Sequence, residues 1–209
     1  MDYSYWDNYY ANQKTALDAP THFAQSVKPL MEKGRTLLEL GCGNGRDSLF
    51  FSRNDLKVLA IDQSQSMINK LKTAKSNDNI EFIANDFVHS NVLLENNVDY
   101  VYSRFTMHSI TEAEESLLIN KVFSCLKEEG LFFIEARSVK DDIYGLGESL
   151  GNHAYFYNEH YRRFILIDNL LSKLKSEGFS IQYSDEDKGY AVYKDEDPVV
   201  IRVIAKKQR

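Results

Sequence analysis

Proline, glycine, cysteine and positive charge are all scarce in this chain, and each scarcity removes a class of protein. Three Pro and ten Gly among 209 residues exclude collagen-like, low-complexity and broadly disordered chains. The two cysteines, Cys42 and Cys125, form no metal-ligand pattern and suggest no disulfide framework, so nothing argues for a metal. Lys and Arg total 25 against 31 Asp and Glu, a formal net charge of −6. A protein that grips a phosphate backbone usually carries the opposite sign, because its cations displace condensed counterions. Nucleic acid is therefore not an expected partner. No apolar run approaches the ~20 residues that span a bilayer, so no membrane partner is expected either. The start, Met1-Asp-Tyr-Ser-Tyr-Trp-Asp7, has neither the basic region nor the apolar run of a signal peptide. The expectation is a cytoplasmic protein.

What is present suits one globular domain over residues 1–209. Hydrophobic residues make up 43% and charged residues 27%, which fits a sizeable core with little room for a second domain. Aromatics stand out at 12%, from thirteen Tyr, twelve Phe and one Trp.

From residue 36 onward, short apolar runs alternate with helical patterns. Thr36–Leu40 reads as a strand and Arg46–Arg53 as a short helix. Residues 57–61 give a second strand, and Ser64 caps a helix with Met67, Ile68, Leu71 and Ala74 at helical spacing. Residues 80–83 and 98–103 read as the third and fourth strands. Thr111 and Glu114 form a capping box for a long helix whose inward stripe is Leu118, Val122, Cys125 and Leu126, with Gly130 placed to end it. Residues 131–135 make a fifth strand and 164–177 a helix stopped at Gly178. Residues 179–183, 190–193 and 199–205 read as further strands, the last two joined by a turn around 195–198. Repeated strand–helix–strand units imply an α/β fold with a doubly wound, mostly parallel sheet and right-handed crossovers. The last two strands, with no helix between them, are expected to pair as an antiparallel edge hairpin. Residues 1–34 are expected to form a helical N-terminal cap on the same domain.

The strongest local signal is Leu37-Leu-Glu-Leu-Gly-Cys-Gly-Asn-Gly45, with glycines at 41, 43 and 45 between a strand and a helix. Lacking Cβ atoms, they permit a tight turn and let a ligand lie against backbone near a helix N-terminus. Two nucleotide-type ligands compete for such a turn. The dinucleotide pattern G-x-G-x-x-G needs glycine at position 46, where Arg46 stands. Glu39, two residues before Gly41, would repel a pyrophosphate but could bind the ammonium of an amino-acid moiety. Asp62 closes the second strand 21 residues after Gly41 (62 − 41). It is a two-oxygen acceptor where the hydroxyls of a ribose would lie. Asn85-Asp86-Phe87 ends the third strand, offering an acceptor for an adenine amino group and a ring to pack on the base.

On Glu39-Leu-Gly-Cys-Gly-Asn-Gly45, Ala60-Ile-Asp62 and Asn85-Asp-Phe87 the chain resembles the class I S-adenosylmethionine-dependent methyltransferases, with matches running from Thr36 to the C-terminus. The resemblance implies a Rossmann-like seven-stranded sheet whose last strand is antiparallel, and S-adenosylmethionine as cofactor. The residues expected to hold that cofactor are Glu39, Gly41, Gly43, Gly45, Asp62, Gln63, Asp86, Phe87 and Ser103. A nicotinamide-dependent oxidoreductase and a non-catalytic S-adenosylmethionine-binding module stay open as competing readings. This fold hosts many acceptors, so the substrate has to be read elsewhere.

In an open parallel sheet, ligands sit beyond the carboxyl ends of the strands. The relevant ends are Ser103-Arg-Phe-Thr-Met-His108 and Glu135-Ala-Arg137. A methyl group leaves a sulfonium by in-line attack of a lone pair, so proximity and desolvation matter most, and an oxygen acceptor adds the need for a base. His108 is the leading candidate for that base, its alternative being a cap for the helix that starts at Thr111. Glu135 is either a base, a hydroxyl-positioning acceptor or an ion-pair partner of Arg104 or Arg137. Arg137 completes the catalytic set.

Residues 139–158 form a Gly- and Tyr-rich stretch, and a loop of that length in a compact domain is usually functional or disordered. Tyr144, His153, Tyr155 and Tyr157 crowd it, followed by His160 and Tyr161, so residues 139–163 are expected to make an acceptor-side lid. Arg162 and Arg163, beside Arg137 and Lys140, could clamp a carboxylate or phosphate or form a solvated helix start. Arg104, Tyr157, His160, Arg162 and Arg163 are the expected acceptor-binding residues. The run from Tyr3 to Tyr10 is expected to cover the cofactor or else to pack on the sheet.

Residues 102–110 and 159–164 are also similar to small methyltransferases of bacterial capsule and surface-polysaccharide gene clusters. That similarity implies a small sugar- or phosphate-linked acceptor, and an anionic one would suit the expected arginine clamp.

Overall fold

The computed structural model of the protein describes residues 19–74 and 79–208. Its first strand, β1 (Thr36–Leu40), is buried at every position but Thr36. Its side chains alternate between two apolar layers, Leu38 and Leu40 entering one and Leu37 the other, as the two-residue period of a strand requires. Burial on both faces needs helices on both faces. Helices α1 (His22–Val27), α2 (Arg46–Arg53) and α3 (Gln65–Ala74) bring Phe23, Phe51 and Met67 to the layer of Leu37. Helices α4 (Glu112–Cys125) and α5 (Ile167–Glu177) bring Leu118, Val122, Leu170 and Leu174 to the other.

Strands β2 (Lys57–Asp62), β3 (Ile80–Ala84), β4 (Val98–Arg104) and β5 (Leu126–Arg137) form a parallel sheet with β1. Strand β10 (Val200–Lys207) runs antiparallel between β5 and β9 (Phe179–Asp187), completing the order β3-β2-β1-β4-β5-β10-β9. This is the doubly wound, mostly parallel seven-stranded sheet with antiparallel C-terminal strands that the sequence implies. Strand β1 pairs with β2 on one side and β4 on the other, so the order reverses beside it. A crevice opens at the carboxyl ends of the strands at such a switch point.

Three local features differ from the sequence reading. The edge hairpin is β9–β10, not 190–193 with 199–205. The chain leaves the sheet after Asp187, turns at Gly189 (φ 79°), and sets the Tyr190 ring 4.3 Å from the Arg202 guanidinium. Residues 188–199 are therefore a loop. Helix α4 ends at Cys125, short of Gly130, because Leu126 already pairs with Val98.

The stretch expected as a long loop holds a three-stranded antiparallel sheet of β6 (Glu148–Gly151), β7 (Ala154–Tyr157) and β8 (His160–Arg163). Its connections, Asn152-His153 and Asn158-Glu159, carry positive φ at both residues, the mark of two-residue hairpin turns. The N-terminal cap is described from residue 19 onward and includes α1 and a 3₁₀ turn at Lys28–Leu30. The Tyr3 to Tyr10 run lies outside the described residues. Among the described residues no helix is long and apolar enough to cross a membrane.

Candidate active site

A cavity of about 680 Å³ lies at the carboxyl ends of β1, β2, β4 and β5. The turn after β1 forms one wall. Gly41 and Gly43, at φ 68° and 52°, both line it. A Cβ on Gly41 would collide with the methyl of Thr106, so only glycine leaves this backbone open. Gly45, the left-handed N-cap of α2, plays a different part. A Cβ there would come 2.8 Å from Leu71 of α3, so this glycine lets the two helices pack.

Glu39 is buried and lines the cavity. It accepts a hydrogen bond from the Ser48 hydroxyl. Burial, followed by the nearby Asp47 carboxylate, pushes its pKa well above the usual carboxylate range. Asp47 is itself held by the Thr21 backbone N–H and hydroxyl, at 2.8 and 2.7 Å, and by the Tyr102 hydroxyl at 2.9 Å. Asp62 ties the turn to the end of β2. Gly43 N–H donates to its Oδ2 at 2.8 Å and Ser64 N–H to its Oδ1 at 2.9 Å, and a carboxylate oxygen with one donor can accept another. Gln63 and Phe87 extend the wall. Asp86 and Ser103 do not line the cavity. Asp86 accepts from the N–H groups of Val88 and His89 at 2.7 and 3.0 Å and so caps the following turn. Ser103 hydrogen-bonds Thr106, the residue whose methyl abuts Gly41.

The opposite wall is basic. A 3₁₀ turn at Met107–Ser109 presents His108, which is buried with no partner for its Nδ1 among the described residues. Burial, then Arg162, Arg137, the His160 ring and Arg104, hold its pKa well below the ordinary 6.5, so the ring is neutral near pH 7. It does not cap α4, whose capping box is closed by Thr111 and Glu114 alone. Arg104 and Arg137 flank the Phe105 ring, 4.3 and 5.7 Å from its centre. Glu135 lies behind this wall. Its fully buried carboxylate accepts from Arg104 Nε at 2.8 Å and Arg202 Nε at 2.7 Å, so its position is that of an ion-pair partner, with Arg202 joining the expected Arg104.

Strand β8 separates two arginines that are adjacent in sequence. His160 and Arg162 line the cavity. Arg163 points the other way, to the Ile110 carbonyl at 2.9 Å and Glu115 Oε2 at 2.5 Å. The aromatic residues of the expected lid pack on one another. The Tyr144 hydroxyl meets His153 Nδ1 at 2.7 Å, and its ring lies edge-on to Tyr155 and Phe164, 5.4 Å from each. Neither they nor Tyr157 line the cavity.

The third wall was not anticipated. Tyr190, Ala191, Val192, Tyr193, Glu196 and Pro198 of the 188–199 loop line the cavity, as do Thr21, Arg46, Asp47 and Thr106. The usable signal was the pair of chain breakers Gly189 and Pro198 around a run read as a strand. Among the described residues no His, Cys, Asp and Glu cluster could hold a metal.

The switch-point sheet, the glycine turn and the acids near the ends of the first two strands make this domain similar to the class I S-adenosylmethionine-dependent methyltransferases. A family model described as a methyltransferase domain matches residues 37–130, and the cofactor of this class is S-adenosylmethionine. Over 115 residues, 54% of the chain, the sequence is 30% identical to a cypemycin N-terminal methyltransferase from Streptomyces sp, of which the match spans 45%. The chain spans about half the length, or less, of the curated relatives it matches. A solved structure of a putative S-adenosylmethionine-dependent methyltransferase from Listeria monocytogenes superposes with a TM-score of 0.71 at 17% identity, covering 90% of this chain and 99% of that one. A 1,6-didemethyltoxoflavin-N1-methyltransferase from Burkholderia thailandensis, solved with 1,6-didemethyltoxoflavin and S-adenosylhomocysteine, gives a TM-score of 0.69 at 16% identity, with coverages of 90% and 77%. At these identities the two structures speak for the fold alone.

Proposed function

We propose that the chain, as a single domain over residues 1–209, transfers a methyl group from S-adenosylmethionine to an oxygen of a small anionic acceptor, a sugar- or phosphate-linked metabolite of surface-polysaccharide synthesis. The observation that supports this is the polarity of the cavity. Glu39, Asp47 and Asp62 line it at the ends of β1 and β2 and the start of α2, while Arg104, Arg137, Arg162 and His160 line it from β4, β5 and β8, and His108 from the 3₁₀ turn after β4. The acidic half suits a cofactor with an ammonium group and ribose hydroxyls. Glu39 faces the ammonium, Asp62 accepts from the hydroxyls, Gly41 and Gly43 allow close approach, and Gln63 and Phe87 flank the base. When bound, S-adenosylmethionine supplies an electrophilic methyl on a sulfonium sulfur.

His108 takes the acceptor proton as the carbon–oxygen bond forms and the carbon–sulfur bond breaks. A neutral, buried imidazole at the acceptor wall suits that task. Strand β8, through His160 and Arg162, and the 188–199 loop hold the acceptor and exclude water. The similarity of residues 102–110 and 159–164 to polysaccharide-type methyltransferases supports a sugar- or phosphate-linked acceptor. Both reactants are water-soluble metabolites, which suits a cytoplasmic protein. The test offers methyl-labelled S-adenosylmethionine with sugar phosphates, nucleotide sugars and their neutral counterparts. Label on the anionic sugars alone supports the reading. Label on neither set, by a protein that binds S-adenosylhomocysteine, removes it.

A further inference from the structure

Arg137 joins two parts of the cavity that lie 59 residues apart in sequence. One edge of its guanidinium is fixed by Asp141, a carboxylate 2% exposed, at 2.8 Å from Nη1. The other edge, Nη2, donates at 3.1 Å to Glu196 of the 188–199 loop. These last two groups differ sharply in access to water, the Arg137 side chain being 11% exposed and that of Glu196 72%. An exposed carboxylate leaves an ion pair easily, because water solvates it again. A shielded guanidinium keeps its demand for an anion. The tip of the loop is a self-contained turn in which Tyr193 and Glu196 exchange both backbone hydrogen bonds, at 2.9 and 3.0 Å. Tyr193 in this turn and Val192 just before it are 61% and 60% exposed, so the tip is largely open to water.

We propose that Glu196 is a built-in stand-in for the acceptor's anionic group and the residue that sets the acceptor's charge. It occupies the Nη2 edge of Arg137 until a carboxylate or phosphate of the acceptor replaces it. The inference rests on the acceptor reading given above. Neighbouring charges favour the exchange. Arg104, which lies over the same Phe105 ring, shares the one carboxylate of Glu135 with Arg202, and Arg162 lines the same cavity. An incoming anion therefore meets a cationic wall, whereas a neutral acceptor has nothing with which to displace Glu196.

The test uses the full chain saturated with S-adenosylhomocysteine and titrated, in separate arms, with inorganic phosphate and with benzoate, followed by calorimetry. Glu196→Gln is expected to tighten anion binding by about two- to fivefold, the range of an exposed ion pair. Glu196→Asp is expected to stay near the parent, and both variants to keep their affinity for S-adenosylhomocysteine. The arm that saturates tells phosphate from carboxylate. Equal anion affinity in the parent and Glu196→Gln overturns the proposal, as does a lack of binding in both arms with S-adenosylhomocysteine bound. Failure to bind S-adenosylhomocysteine is instead a failure of the methyltransferase reading, and the same titrations on the unloaded chain then decide the role of Glu196.

Discussion

Glu39 is a carboxyl that ionises against resistance. Burial and then Asp47 raise its pKa, while the Ser48 hydroxyl opposes the rise. With the folded-state value raised, its favourable contribution belongs to the protonated form and is lost as pH climbs through that raised value. An ammonium placed against it pulls the value back down. Binding of S-adenosylhomocysteine is therefore expected to release a proton at pH values between the ordinary carboxylate range and the raised one. Calorimetry in buffers of differing ionisation enthalpy, from about pH 5 to 8, reads this directly, and no proton release at any pH would separate Glu39 from the ammonium. His108 shifts the other way. Its depressed pKa means that a base in this position loses rate only as pH falls through a value well below 6.5, the rate staying flat above. His108→Asn is expected to lower kcat by about 10²- to 10⁴-fold with unchanged S-adenosylhomocysteine affinity, and a rate profile bending at the unperturbed histidine value would exclude His108 as the base. The same depression makes an unfolded His108 bind a proton that the folded one refuses, so its share of stability is present above about pH 6.5 and declines below it.

Elements decide which of these residues meet. The turn after β1 and the capping box at Thr111 and Glu114 were legible because their signals are local, a few residues apart. Arg162 and Arg163 looked like one clamp in sequence. Strand alternation divides them, and a strand was not expected there because its hairpin turns use Asn-His and Asn-Glu rather than Asn-Gly. Glu135 was readable as an ion-pair partner of Arg104, but its second partner, Arg202, lies 67 residues away and left no local trace. The 188–199 loop was misread for a similar reason. Tyr190 to Tyr193 has strand composition, yet the contact of Tyr190 with Arg202 draws it off the sheet. Arg163 now has a role that bears on the site from behind. It donates to the Met107 and Ile110 carbonyls on either side of His108, at 3.3 and 2.9 Å, and to Glu115, which Lys173 also holds at 2.8 Å. Both Arg163 and Glu115 are buried, so Arg163→Ala strips one partner from a buried pair and is expected to cost about 3 kcal/mol. Denaturant unfolding measures this, and a loss under about 1 kcal/mol would mean that the network holds the turn without stabilising the fold.

At the scale of the molecule, the cavity exists only in the folded chain. Its walls come from the ends of β1, β2, β4 and β5, from β8 and from the loop before β10, segments spread over most of the sequence. A ligand that fills it binds the native state and not the unfolded chain, and so stabilises the whole domain by mass action. At a hundred times its Kd, S-adenosylhomocysteine is expected to add about 2.7 kcal/mol, which for a chain of this length raises Tm by roughly 5–11 °C. NADH provides the discriminating control. Arg46 stands where a dinucleotide turn needs its third glycine, and Glu39 and Asp47 put carboxyls beside the place a pyrophosphate would occupy. NADH at equal concentration is expected to leave Tm unchanged. Differential scanning fluorimetry compares the two in one experiment. An equal rise with NADH, or no rise with saturating S-adenosylhomocysteine, would show that the glycine turn holds a different ligand from the one its acids select.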